Sequence, residues 1–169
     1  MSGLGSTVVV STRYIDTPID RPRWRSTALV RVHPRLQAGI EWNPAVGEVA
    51  PQATLFLLGG DGGGTVAFVG TSSDRIGSPE GTQGYFLTVA RALRGAHVLP
   101  YVSLHYSEWD ERVLVPFGAQ IGLPAGLSLQ PMYDGARSHL LVQWVGERAS
   151  VGFVWAWLER PGVTVSFGF

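Results

Sequence analysis

Along the whole chain, short apolar segments alternate with polar or small residues and are punctuated by Gly, Pro, Asp and Ser. The spacing is too tight for helices and regular enough for an all-β meander. The clearest stretch is the last: Val163, Val165, Phe167 and Phe169 fall on one face, and Thr164, Ser166 and Gly168 on the other. A period of two is the signature of a strand. Read this way, the sequence predicts twelve strands, near 7–15, 26–32, 36–43, 52–59, 64–71, 84–93, 97–107, 112–123, 126–134, 138–145, 149–158 and 162–169, and no helix. The division at His33, Pro34 and Arg35 is the least marked, because Val30, Val32, Leu36, Ala38, Ile40 and Trp42 keep one face through it. Unbroken, that stretch would exceed the roughly 9–11 residues with which a strand crosses a bilayer, and Pro cannot donate to a central ladder. It is therefore split, with ten strands as the alternative count. Pro100, Pro116 and Pro131 each remove a ladder hydrogen bond, so bulges or strand ends are expected there.

Two arrangements of a closed meander alternate equally well: apolar side chains inward, as in a soluble barrel, or outward, as in a membrane barrel. The faces opposite the bulky ones contain Gly118, Gln120, Gly122, Ser128, Gln130, His139, Gln143, Ser150, Gly152, Ala156, Thr164 and Ser166. They are small and nearly uncharged, unlike the Lys-, Glu-, Arg- and Asp-rich face that keeps a soluble protein dispersed. Such a face suits a lumen, while the bulky face, with Trp42, Tyr85, Tyr106, Tyr133 and Trp157 towards strand ends, suits lipid and its interfacial aromatic girdles. Hydrocarbon offers no partner to backbone N–H and C=O groups, so a sheet inside it must close on itself. The connections divide accordingly. Those on the carboxyl-terminal side are short, and those opposite include the longer Asp16–Arg25, Pro44–Pro51 and Ser72–Gln83, the asymmetry of outer-membrane barrels.

The alternating strand ending on Phe169 resembles the closing strand of bacterial outer-membrane β-barrels, in which a terminal Phe is the signal read by the assembly machinery. The resemblance rests on Val163, Val165, Phe167 and Phe169 and extends to the rest of the chain only by pattern. It implies a closed antiparallel up-and-down barrel in one domain over residues 1–169, located in the outer membrane, with outer-membrane lipid and the barrel assembly machinery as partners. Met1 to Gly5 has neither the basic start nor the apolar core of a secretion leader, so this reading requires a leader that was removed.

Composition narrows the alternatives. The 169 residues carry only 15% charged side chains and a formal net charge of zero, which leaves no electrostatic footprint for nucleic acid. All 13 basic residues are Arg, a bias that reads as genomic in origin. There is no Cys, hence neither a disulfide framework nor a thiolate metal site. The four His lack paired-ligand spacing for zinc, and the carboxylates are too scattered for calcium, so no metal and no cofactor is expected.

Candidate chemistry lies inside the barrel. Gly84, Thr88, Ala90, Ser103, Gly118, Gly122, Ser128, Gly152, Ala156 and Gly168 share the inward parity, and twelve strands enclose more space than eight. Small residues there leave room for water, a solute, a plug or a partner segment, or they merely permit curvature. Arg31, Glu41, His105, Gln130, Asp134, His139 and Gln143 also point inward, as a selectivity constriction or as structural hydrogen-bond partners. His105, Asp134 and His139, with Asp110 and Glu111 nearby, are the best enzymatic constellation, since a His beside a carboxylate activates water. No nucleophile motif accompanies them, and the chain is read as a non-enzyme. Residues 59–64, a Gly-rich stretch without a following Lys-Ser/Thr, read as a hairpin turn, and residues 73–81 as a surface loop able to fold into the mouth. Three readings remain: a small pore for hydrophilic solutes or polymer, a non-catalytic outer-membrane anchor or assembly scaffold, and a soluble lipocalin-like ligand-binding barrel.

Overall fold

Alternation along each segment translates into a single sheet that closes on itself. The computed structural model describes residues 7–59, 64–93 and 95–169. Its strands are β1 (Val8–Ile15), β2 (Trp24–His33), β3 (Leu36–Asn43), β4 (Glu48–Leu58), β5 (Thr65–Ser73), β6 (Gln83–Arg91), β7 (Val98–Ser107), β8 (Arg112–Leu114), β9 (Phe117–Gly122), β10 (Leu127–Tyr133), β11 (Ser138–Val145), β12 (Ala149–Ala156) and β13 (Arg160–Gly168). Neighbours pair antiparallel, β13 returns to β1 from Val9↔Gly168 to Ile15↔Gly162, and β6 joins β7, so the sheet has no free long edge. The result is a closed twelve-strand up-and-down barrel.

Thirteen segments fill twelve positions because of one proline. Both β8 and β9 pair with β7 in one continuous register, Ser107↔Arg112 and His105↔Leu114 running on to Val102↔Phe117 and Val98↔Ile121. Pro116 has no N–H to continue the ladder, although its carbonyl still accepts from the Ser103 N–H at 2.8 Å. Pro131 has a milder effect: β10 pairs with β9 at Leu129↔Ile121 and again at Met132↔Gly118, skipping the proline between. At Pro100 the expected bulge or strand end is absent, and the residue sits in register opposite Ala119.

Two further expectations need correction. A four-residue helical turn, α1 (Asp20–Arg23), stands in the β1–β2 connection, where no helix was expected. The loop expected over Pro44–Pro51 shrinks to residues 44–47, because β4 begins at Glu48 and carries Pro51 opposite Ile40. Parity explains it: Ala50 and Gln52 are buried while Val49 is exposed, so the alternation runs through the proline that had read as a turn. Most of the Gly-rich turn at 59–64 lies outside the described residues; Gly59 takes a positive φ of 98°, as a tight turn requires.

The faces divide as the alternation indicates. Val49, Val102, Val113, Val151, Phe153, Val163 and Phe167 are among the many large apolar side chains left about half exposed on the outer surface. Ser103, Thr88, Ser128, Ser150, Gln52 and Glu41 are buried on the inner one. The outer face is thus the apolar one. Trp42, Tyr85 and Tyr106 belong to it, whereas Trp157 does not: it packs into the barrel end beside Ile15 and Val154.

Several inward glycines do not leave open space. A side chain at Gly70 would collide with the Phe86 ring, one at Gly84 with the His105 ring, one at Gly118 with the Tyr101 hydroxyl and one at Gly152 with Leu141. Each glycine is a seat for a larger neighbour. Phe56, Phe68 and Phe86 continue the filling as an inward aromatic row, with ring centroids 5.7 and 6.1 Å apart.

Candidate functional site

The end of the barrel opposite the carboxyl terminus is narrowed by its own loops. Residues 74–82 leave β5 and turn inward, and Ile76 packs with Ile15, Val154 and Ala156 on β1 and β12. Counting β4, β3, β2, β1, β13 and β12 from β5 takes six steps of the twelve, so this loop reaches the opposite wall. Gly77 lies against the Trp157 ring there. Ser78 and Asp74 are buried, which decides between the two readings of this stretch: it folds into the mouth.

Polar contacts pin the loop at both ends. Arg21, from α1, donates through Nε to Glu48 Oε2 at 2.6 Å and through Nη2 to Oε1 at 3.1 Å, and also reaches the Ser78 carbonyl at 3.1 Å and the Ser78 hydroxyl. The Gly81 N–H donates to the same Glu48 at 2.7 Å. On the other side Arg75 holds Asp110 in a fork at 3.1 and 3.2 Å, its guanidinium 4.1 Å over the Trp109 ring.

Asp74 is the hub of this second group. Its Oδ1 accepts from the Arg75 N–H at 2.8 Å and lies 3.1 Å from His105 Nε2; its Oδ2 accepts from the Ser107 hydroxyl at 2.7 Å and the Trp109 N–H at 3.1 Å. Burial alone would raise its pKa, but the hydrogen bonds from His105, Ser107, Trp109 and Arg75 hold it down at about 2. The linkage sign follows from that depression: the ionised carboxylate contributes stability in full above about pH 4, the usual carboxylate range, and loses it as pH falls through about 2. Thermal unfolding at neutral pH, pH 4 and pH 2 should therefore find Asp74→Asn less stable than the parent at neutral pH and most of the gap closed at pH 2. A gap that persists unchanged at pH 2 would contradict this assignment.

The sequence-derived candidates separate into several groups. Glu41 is buried, bonded to Arg25 at 2.5 Å and accepting from Asn43 at 3.0 Å and Gln52 at 2.8 Å. His105 joins Asp74, whereas Asp134 and His139 form their own pair at 2.9 Å. Gln143 donates to Ser150 at 2.8 Å, and Gln130 meets the Tyr101 hydroxyl. Arg31 stands apart, exposed opposite Gln37 towards the short-turn end. Of the assembly-signal residues, Val163, Phe167 and Phe169 are exposed and Val165 is partly covered; the Phe169 N–H donates to the Val8 carbonyl at 2.9 Å.

The histidines are occupied by structure. His139 Nδ1 accepts the Trp157 N–H at 3.1 Å, so its proton resides on Nε2 and is donated to Asp134. That tautomer leaves no lone pair for a substrate. Asp134 is held below the usual carboxylate range: burial opposes this, but His139 and the N–H groups of Arg137 and Ala136 outweigh it. Ser107 directs its hydroxyl to Asp74, as does the ring of His105, so hydroxyl and imidazole share one acceptor and do not form a nucleophile–base pair. Among the described residues, no three His, Asp or Glu side chains converge as a metal site.

Parity could have found Arg13 and Arg25, which face each other across β1 and β2 on the inner side. Glu48 shares the inward parity of Ala50 and Gln52 but fell in a stretch that had read as a loop, whereas Arg21 and Asp74 had no such signal, because their positions follow from how loops fold. No known protein-family model matches the chain, and no curated protein matches it in sequence.

Proposed function

We propose that this chain is a bacterial outer-membrane β-barrel whose polar interior forms a narrow passage for small hydrophilic solutes, constricted at the mouth by the loop of residues 74–82. The observation that carries the membrane half of this reading is the outer face: valines, leucines, phenylalanines and tryptophans around a closed sheet, with the hydrogen-bonded polar groups on the inside. The inward-folded loop, held by Arg21–Glu48 and Arg75–Asp110, supports a constriction in place of a wide aqueous channel. The role is non-catalytic, in keeping with histidines whose hydrogen bonds are already committed.

The firm anchoring of that loop on both walls favours a second reading, an outer-membrane anchor or assembly scaffold that does not conduct. Planar-lipid recording separates the two. The passage predicts small conductance steps from the parent and larger ones from Arg75→Ala, which unties the loop from Asp110; silence from both, with protein folded as judged by heat-modifiable gel mobility, favours the scaffold. A protein that stays monodisperse without detergent would instead be a soluble lipocalin-like barrel.

A further inference from the structure

Beneath the mouth loop lies a small, partly open polar cavity of about 20 Å³, lined by four arginines, Arg13, Arg21, Arg25 and Arg75, and by two carboxylate residues, Glu41 and Asp74. That is space for one water-sized occupant.

Hydrogen-bond bookkeeping determines what the occupant must be. Glu41 is engaged by Arg25, Asn43 and Gln52, and Asp74 by His105, Ser107 and two backbone N–H groups. Arg21 is committed to Glu48 and Arg75 to Asp110. The polar atoms of this wall that are buried without a partner are Arg13 Nε, Arg25 Nε and Ser73 Oγ. All three can donate. Ser73 is itself only 6% exposed, and Arg13 makes no ion pair among the described residues, whereas the other three arginines each do. An unpaired buried guanidinium is costly, and so is each orphaned donor. A water would satisfy donors but leave the charge; a small monovalent anion satisfies both.

We propose that this cavity is a buried binding site for one small monovalent anion of halide size, held by Arg13, Arg25 and Ser73. The site goes beyond the passage reading and stands whether or not the barrel conducts, because the three groups proposed to hold the anion belong to β1, β2 and β5 and not to the mouth loop.

Bromide is the probe. In crystals soaked in sodium bromide, an anomalous peak is expected between Arg13 Nε, Arg25 Nε and Ser73 Oγ. In solution, thermal unfolding should rise saturably with sodium bromide and not with sodium gluconate at the same ionic strength. Ser73→Ala should weaken the bromide response about tenfold, the loss of one hydrogen bond to a charged partner, and Arg13→Gln should abolish it. Should Arg13→Gln fail to fold, the crystal peak and Ser73→Ala still decide. A water with no anomalous signal at the site, or equal responses to bromide and gluconate, overturns the proposal.

Discussion

Glu41→Leu is expected to lower the unfolding free energy by about 3–5 kcal/mol, the cost of removing one partner from a buried ion pair. Glu41 is 2% exposed, pairs with Arg25 at 2.5 Å and lines the same cavity as Arg13, which stands opposite Arg25. Its loss leaves Arg25 without its ion-pair partner and facing Arg13 across β1 and β2, and strips Asn43 and Gln52 of their acceptor. Removing charge on both sides should undo much of the damage, so Glu41→Leu combined with Arg25→Met is expected to recover a good part of the loss. Urea titration of the folded protein in a fixed detergent or lipid measures both. A Glu41→Leu midpoint indistinguishable from the parent would mean that the arginines find their compensation elsewhere, and the anion cavity would be the first place to look.

The second large effect concerns the outer face. Val102 lies at the middle of β7, flanked by Val89 and Phe117 on the neighbouring strands, and is 49% exposed. In a bilayer Val102→Arg places a guanidinium at mid-depth, which costs about 2–4 kcal/mol of folding free energy; the same change near an interface costs about 0–1. Val32→Arg, on the same face at the short-turn end, is the shallow comparison. Folding titrations into phosphatidylcholine vesicles should rank the two in that order. If Val102→Arg is neutral and makes the protein more soluble without detergent, the outer face meets water and the membrane reading falls.

How far these features could be read from the chain depends on the range of the physics behind them. Side-chain alternation is local, so the strand positions, the even count and the outward apolar face follow from adjacent residues, and β11 to β13 were legible almost residue by residue. Proline misleads in both directions for the same local reason. Pro51 reads as a turn yet sits inside β4, because a ladder can pass a proline where its missing N–H faces no acceptor, whereas Pro116 ends β8. Parity also placed Glu41, His105 and His139 on the inner face, but not their partners: Asp74 reaches His105 from a loop 31 residues away in sequence.

By itself, then, the sequence determined an all-β meander, which side chains within most strands share a face, and which short turns stand opposite the long loops, since a two-residue period needs only neighbours to be expressed. The tertiary structure decided what fills the barrel. Glycines that look like empty space in one dimension receive Phe86, His105, Tyr101 and Leu141 from adjoining strands, and the loop of residues 74–82 crosses to the far wall to set Ile76 on Ile15 and Val154. These contacts depend on strand register, barrel closure and the path of a loop across an opening, which arise from side chains far apart along the chain meeting only once the sheet has closed.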